Sequence, residues 1–162
     1  MLPNPKQNGV AQVGRCTWYP YYAGFSSAFV DSVLDEIGCD SGTIICDPWN
    51  GAGTTTQTAF DRAIPSYGFD LNPVMTRVAL ARNVVPLNVG MVRRKHDFIV
   101  SKYKSYRART IRPGDPLTNW FCNELVYGIR NLQRAITEVR SAEVVKALFD
   151  TCLLYTSDAA DE

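Results

Sequence analysis

The 162 residues contain no CxxC pair, no two adjacent prolines, a single histidine and no apolar run near the ~20 residues that a bilayer requires. The five cysteines (Cys16, Cys39, Cys46, Cys122, Cys152) are odd in number and scattered singly, which argues against both a disulfide framework and a zinc site. They suit a reducing, cytoplasmic setting, and no metal cofactor is expected. The first fifteen residues are polar and rich in Pro, Gly and Asn, unlike a signal peptide. Whole-chain charge is also small: 17 Lys and Arg against 16 Asp and Glu give +1, with 46% hydrophobic and 20% charged residues. That composition suits one domain with its own core and no membrane partner.

The near-neutrality hides an uneven distribution. Residues Cys152 to Glu162, CLLYTSDAADE, resemble the translation of a transposon-end sequencing adapter, a false end met in metagenomic reading frames. If they are non-native, Asp158, Asp161 and Glu162 leave the balance, which becomes 17 against 13, and a natural sequence continues beyond Thr151. From Met91 to Arg112 stand eight basic residues (Arg93, Arg94, Lys95, Lys102, Lys104, Arg107, Arg109, Arg112) and one acid, Asp97, with Tyr103 and Tyr106 interleaved. Clustered cations of this kind suit phosphate contacts that position a duplex, or else simply form a solvated helix face.

Local patterns give the order of elements. Turn formers dominate residues 1 to 17, an N-terminal arm. After the aromatic loop WYPYYAGFS, with Ser26 as cap, Phe29, Val33, Leu34 and Ile37 recur at helical spacing, and Gly38 closes the helix. Thr43 to Cys46 is a short apolar run that suits a buried parallel strand. The glycine turn Gly51-Ala52-Gly53 follows, then a helix from Thr54 to Ile64, a second strand from Tyr67 to Asp70, and a helix from Asn72-Pro73 through Arg82. Strand, turn, helix, strand, helix is the order of a right-handed parallel unit, so the fold class is α/β. Further on, Arg112-Pro113-Gly114-Asp115-Pro116 breaks the chain. Phe121, Leu125, Ile129, Leu132, Ile136 and Val139 then form one apolar stripe on a helix from Thr118 to Arg140, and another helix begins at Ser141.

Chemistry concentrates at Asp47-Pro48-Trp49-Asn50-Gly51-Ala52-Gly53-Thr54-Thr55, between a strand and a helix. Glycines there let backbone approach a ligand and offer helix N-terminal N–H groups to it. Asp70 closes the second strand nineteen residues after Gly51, where a doubly wound fold places an acid for ribose hydroxyls. A carboxylate at Asp47 would repel a dinucleotide pyrophosphate but favour the ammonium and sulfonium of S-adenosylmethionine. Thr56 also stands where the third dinucleotide-fingerprint glycine would be. Thr54 and Thr55 either face the ligand or cap the helix, and capping with backbone N–H contact is the expectation.

DPWNGAGTT resembles motif I of the S-adenosylmethionine-dependent DNA amino-methyltransferases, usually DPF-x-G-x-G-TT; YGFDLNPVMTRVALAR resembles their motif II, and WYPYYAGFS their motif X loop. The three motifs cover Trp18 to Arg82 in family order. The resemblance implies a Rossmann-like class I methyltransferase core with a helical insertion. It further implies that Asp47, Pro48, Gly51, Gly53, Thr54 and Asp70 hold S-adenosylmethionine, with Tyr21 and Phe25 on its methionine end, and that DNA is the partner. The chain then divides into an arm (1–17), a cofactor-binding part (18–90), a basic and helical insertion that is a candidate target-recognition region (91–151) and the adapter-like tail (152–162).

The family's catalytic tetrapeptide, D/N/S-P-P followed by an aromatic, is absent, since no two prolines adjoin. His96 has no catalytic partner at useful spacing and reads as a surface residue. The expectation is an inactive fragment, missing its C-terminal part, of an enzyme that methylates an exocyclic amino group of adenine or cytosine in DNA, with a role in host defence, restriction-modification or phage biology. Two alternatives stay open: an RNA methyltransferase, and a non-catalytic nucleic-acid-binding module of the same fold.

Overall fold

The computed structural model describes residues 2–6, 19, 24–83, 89–107, 110–141 and 143–158. The chain forms two compact units, one made of Met1–Val84 with Glu143–Glu162 and the other of Val85–Ala142. No described helix is long and apolar enough to cross a membrane.

The first unit is built by caps that the sequence places. Ser26 Oγ accepts from Phe29 N–H at 3.2 Å and opens α1 (Ser27–Glu36). Its buried row is Val30 and Leu34, and the expected core residue Ile37 is instead 66% exposed, because it has become the C-cap before Gly38, which takes a φ of 68°. Strand β1 (Ile45–Asp47) leads through the glycine turn to α2 (Thr54–Asp61), and β2 (Ser66–Gly68) to α3 (Pro73–Arg82). Asn72 Oδ1 caps α3 by accepting from Val74 N–H at 2.9 Å, and Pro73 occupies the first helical turn, where a missing N–H is harmless. Between β2 and α3 lies the loop carrying Asp70.

β1 and β2 pair in parallel with Ile45 opposite Ser66, Cys46 opposite Tyr67 and Asp47 opposite Gly68. The fold is therefore α/β, with a two-stranded parallel sheet and flanking helices. The expected strand buried on both faces is corrected. Ile45 packs against the core formed by Val30, Leu34, Ala59 and Ile64, while its neighbours Ile44 and Cys46 are exposed. With a period of two, one covered face buries only alternate residues. Both strands are also shifted from the sequence reading by a residue or two, and α2 ends at Asp61 rather than Ile64, where Ala63 turns to a φ of 56°.

Helix α6 (Glu143–Asp158) packs along α3, where Arg77 meets Glu143 at 3.1 Å and Asp150 at 3.8 Å. A second cluster, Ala52, Met75 and Val78 with Tyr19 and Val74, sits beneath the glycine turn. Complete burial of Val78 there is worth about 1.5–3 kcal/mol relative to exposure.

The second unit is a hairpin of two antiparallel helices, α4 (Val89–Ser105) and α5 (Asn123–Thr137), joined through a short 3-10 helix, Pro116–Asn119. Near one end Lys95 Nζ donates to the Arg140 carbonyl at 2.6 Å; toward the other the Arg134 guanidinium lies 4.6 Å from the centroid of the Tyr106 ring. Asp115 caps the 3-10 helix by accepting from Leu117 N–H, and receives a bidentate pair from Arg130 at 2.6 and 2.8 Å. The Arg130 guanidinium holds the Asp115 carboxyl below its usual range. Because Asp115 and the 3-10 turn take the residues before Asn123, α5 starts five residues later than the stripe suggests. Leu125, a stripe residue, is 44% exposed, and Val126 is buried in its place.

Candidate functional site

The two strands end side by side, and the backbone continues to zip their following loops together. Phe69 N–H donates to the Asp47 carbonyl and Asn50 N–H to the Phe69 carbonyl, both at 2.9 Å. One step further, Gly51 N–H donates to Asp70 Oδ2 at 2.8 Å. Asp70 Oδ1 accepts from Asn72 N–H at 2.8 Å, so this carboxylate ties the glycine turn to the start of α3. Asp47 uses Oδ1 to accept from Trp49 N–H at 3.0 Å, which fixes the carboxylate at the strand end.

Gly51 and Gly53 both take positive φ, 51° and 83°, a region costly for residues with a Cβ. Gly53 has a second constraint: a Cβ there would stand 2.6 Å from Ala79 Cβ. The glycine thus lets the turn press onto α3. It is also the N-cap of α2, with no side-chain hydroxyl bonding the first turn. The expected capping by Thr54 and Thr55 is corrected accordingly: Thr54 is buried, its carbonyl accepts from Thr58 Oγ1, and among the described residues the first-turn N–H groups have no hydroxyl cap.

The end of β1, the glycine turn, the start of α2 and the adjoining loop after β2 therefore gather Asp47, Pro48, Gly51, Gly53, Thr54 and Asp70, with Pro48 exposed in the turn after β1. Phe25 is 52% exposed; it lies in an isolated antiparallel bridge with Lys6, and its ring centroid is 5.8 Å from that of Phe29. Tyr21, together with Trp18 and Tyr22 of the same aromatic loop, lies outside the described residues. Tyr19 of that loop packs on the Ala52 cluster, and its carbonyl accepts from the buried Arg82 Nη2 at 2.9 Å.

Several neighbours of the site are not evident from the sequence. Asn50 lies directly across Gly68, where a Cβ would collide with its amide group, and Asn50 Oδ1 accepts from Thr56 Oγ1 at 3.1 Å. These three residues, with Asp70, Thr76 and Asn83, line a recess of 210 Å³. Ligand pockets are commonly about 300–1,000 Å³, so this recess admits only part of a nucleoside-sized molecule. The small residues Gly68 and Ala79 were the available signal, since each marks a place where another segment approaches closely. Next to Asp70, Leu71 is fully exposed and Trp49 is 84% exposed, so two large apolar side chains flank the strand ends.

Carboxylates at the ends of two parallel strands, backbone N–H groups at a helix start and exposed apolar flanks make a site suited to a ligand with hydroxyls, positive charge and a flat apolar part. A 57-residue stretch, 35% of this chain, is 42% identical to the Type II methyltransferase M.BsoBI of Geobacillus stearothermophilus. That stretch is similar to a methyltransferase. The match spans 11% of the relative's length. No family model matches the chain, and no solved structure matches it.

Proposed function

We propose that the first unit is the S-adenosylmethionine-binding part of a Rossmann-like class I methyltransferase that modifies an exocyclic amino group of adenine or cytosine in DNA. The observation that carries this reading is the zipped pair of loops, which sets Asp47 and Asp70 on either side of a glycine turn at the start of α2. The likeness to a methyltransferase supports it over 35% of the chain.

The donor set fits the cofactor. Each Asp70 oxygen takes one backbone N–H, and a carboxylate oxygen has a second lone pair, so Asp70 can still accept from ribose hydroxyls. Asp47 would take the cationic end of the cofactor, where a negative charge favours ammonium and sulfonium. Gly51 and Gly53 allow close backbone approach, while Thr54 offers its main-chain N–H at the helix start. Pro48 shapes the turn, Leu71 and Trp49 give apolar cover, and Tyr21 and Phe25 belong to the loop assigned to the methionine end. When bound, the cofactor supplies an electrophilic methyl group. The residues present position it; the proline-proline-aromatic tetrapeptide that would hold the target amino group is not among these 162 residues, and turnover is assigned to sequence outside them.

Incorporation of labelled methyl groups by a full-length homologue carrying this segment tests the substrate. Label in DNA supports the reading, label only in RNA replaces it with RNA methylation, and label in neither points to a non-catalytic module.

A further inference from the structure

Charge divides sharply between the two units. Val85–Ala142 holds eleven Lys and Arg against four Asp and Glu, whereas the rest of the chain holds six against twelve. Near-neutrality of the whole chain is thus the cancellation of an acidic unit by a basic one.

Arg109 lies outside the described residues, and the other ten cations of the basic unit fall into two groups. Four are engaged by the hairpin itself: Arg130 by Asp115, Lys102 and Arg134 by Glu138, and Lys95 by the Arg140 carbonyl. These bonds stabilise the hairpin and use two of its four acids. Arg93, Arg94, Lys104, Arg107 and Arg140 are exposed and have no side-chain partner among the described residues, and Arg112, also exposed, lies within the field of Asp115, whose hydrogen bonds go to Arg130. Arg93 and Lys104 are eleven residues apart, three helical turns, and so share one face of α4.

The hairpin also supplies concave surface beside these cations. A recess of 540 Å³ is lined by Tyr103, Lys104, Arg107, Glu124, Tyr127 and Asn131, and Asn131 also borders a recess of 760 Å³ that contains Arg112. Uncommitted cations alternating with tyrosine hydroxyls and an asparagine amide form a donor-rich surface, the pattern that phosphodiester oxygens accept from without sequence readout. Among the described residues, Glu124 is the single carboxylate lining the smaller recess.

We infer that this recessed face of the hairpin, with Lys104, Arg107 and Arg112 as its charged contacts, seats the phosphate backbone of duplex DNA. Naming DNA as the polyanion rests on the proposed methyltransferase reading; the charge and shape of the face do not.

The test is fluorescence anisotropy of the whole chain with a labelled duplex of arbitrary sequence across a salt series, with calorimetry against S-adenosylhomocysteine on the same samples. Losing three phosphate contacts lowers the slope of log affinity against log salt by about 2.7. Lys104→Ala/Arg107→Ala/Arg112→Ala should therefore lose about fortyfold less affinity than the parent chain between about 50 and 200 mM salt, and bind more weakly throughout. Glu124→Gln removes the carboxylate beside Lys104 and Arg107, while Asp115 by Arg112 stays paired with Arg130, and should tighten duplex binding roughly threefold, a gain that a misfolded protein could not show. An unchanged salt slope in the triple variant, no tightening by Glu124→Gln, or preference for single-stranded over duplex DNA overturns the inference. Loss of DNA binding with cofactor binding intact confirms that the two sites are separate. DNA binding as described, with a folded chain that fails to bind S-adenosylhomocysteine, instead overturns the cofactor reading and leaves this surface standing.

Discussion

Gly53 is the position where the site's geometry is most exposed to a single methyl group. Alanine there meets two costs. Holding an L-residue at a φ of 83° costs about 1–2 kcal/mol. The new Cβ would also lie 2.6 Å from Ala79 Cβ and 2.9 Å from Ala79 Cα, well inside the ~3.5–4.0 Å of ordinary carbon contact, so α3 or the turn must move. Overpacking of this kind adds about 1–3 kcal/mol, which brings the total to about 2–5 kcal/mol. Gly38 provides the control within the same unit: its φ is 68°, and a Cβ there meets nothing within 4 Å. Gly38→Ala should cost only the conformational part, about 1–2 kcal/mol. Hydrogen exchange of peptides from α2 and α3 reads the unit by itself, and the Gly53→Ala chain should show at least about 1 kcal/mol more loss of protection than Gly38→Ala. Equal losses in the two variants would refute the claim that the glycine turn is pressed onto α3.

Other parts of the account can be checked separately. Arg130 holds the Asp115 carboxyl below 3.8, its ordinary value, so the stabilisation is complete above the unfolded value and is lost as pH falls through the folded one; acid titration of helicity should show this loss, flattened in Asp115→Asn. Arg82 is buried and donates to the Tyr19 carbonyl; Arg82→Met leaves that carbonyl without this donor, for a cost of about 1–3 kcal/mol and earlier proteolysis near Tyr19. Asn72→Ala removes the α3 cap at a cost of about 0.5–2 kcal/mol, measurable as faster exchange in the first turn of α3.

Features that depend on near neighbours in sequence were legible, and those that depend on distant segments were not. Ser26, Asn72-Pro73 and Gly38 act within one helical turn, so α1 and α3 begin and end close to where the residues indicate. Strand limits shifted because a three-residue ladder is defined by pairing with a partner twenty-one positions away, and the apolar run Thr43 to Cys46 cannot say which residue pairs. The start of α5 was hidden by Asp115, whose tie to Arg130 spans fifteen residues and orders a 3-10 turn in place of the first helical turns. At the site, the order of Asp47, the glycines and Asp70 could be read directly. The crossing of Asn50 over Gly68 and the seat of Gly53 on Ala79 could not, because each joins loops or helices brought together only by the fold.

Calorimetric titration of the chain with S-adenosylhomocysteine, beside Asp70→Ala, tests the central claim most directly. Saturable binding by the parent chain and its loss in the variant are expected, with helicity retained because Asp70 bonds, among the described residues, two backbone N–H groups at the mouth of the site. A parent chain that is folded by circular dichroism yet takes up no cofactor analogue, or an Asp70→Ala variant that binds it equally well, would contradict the account.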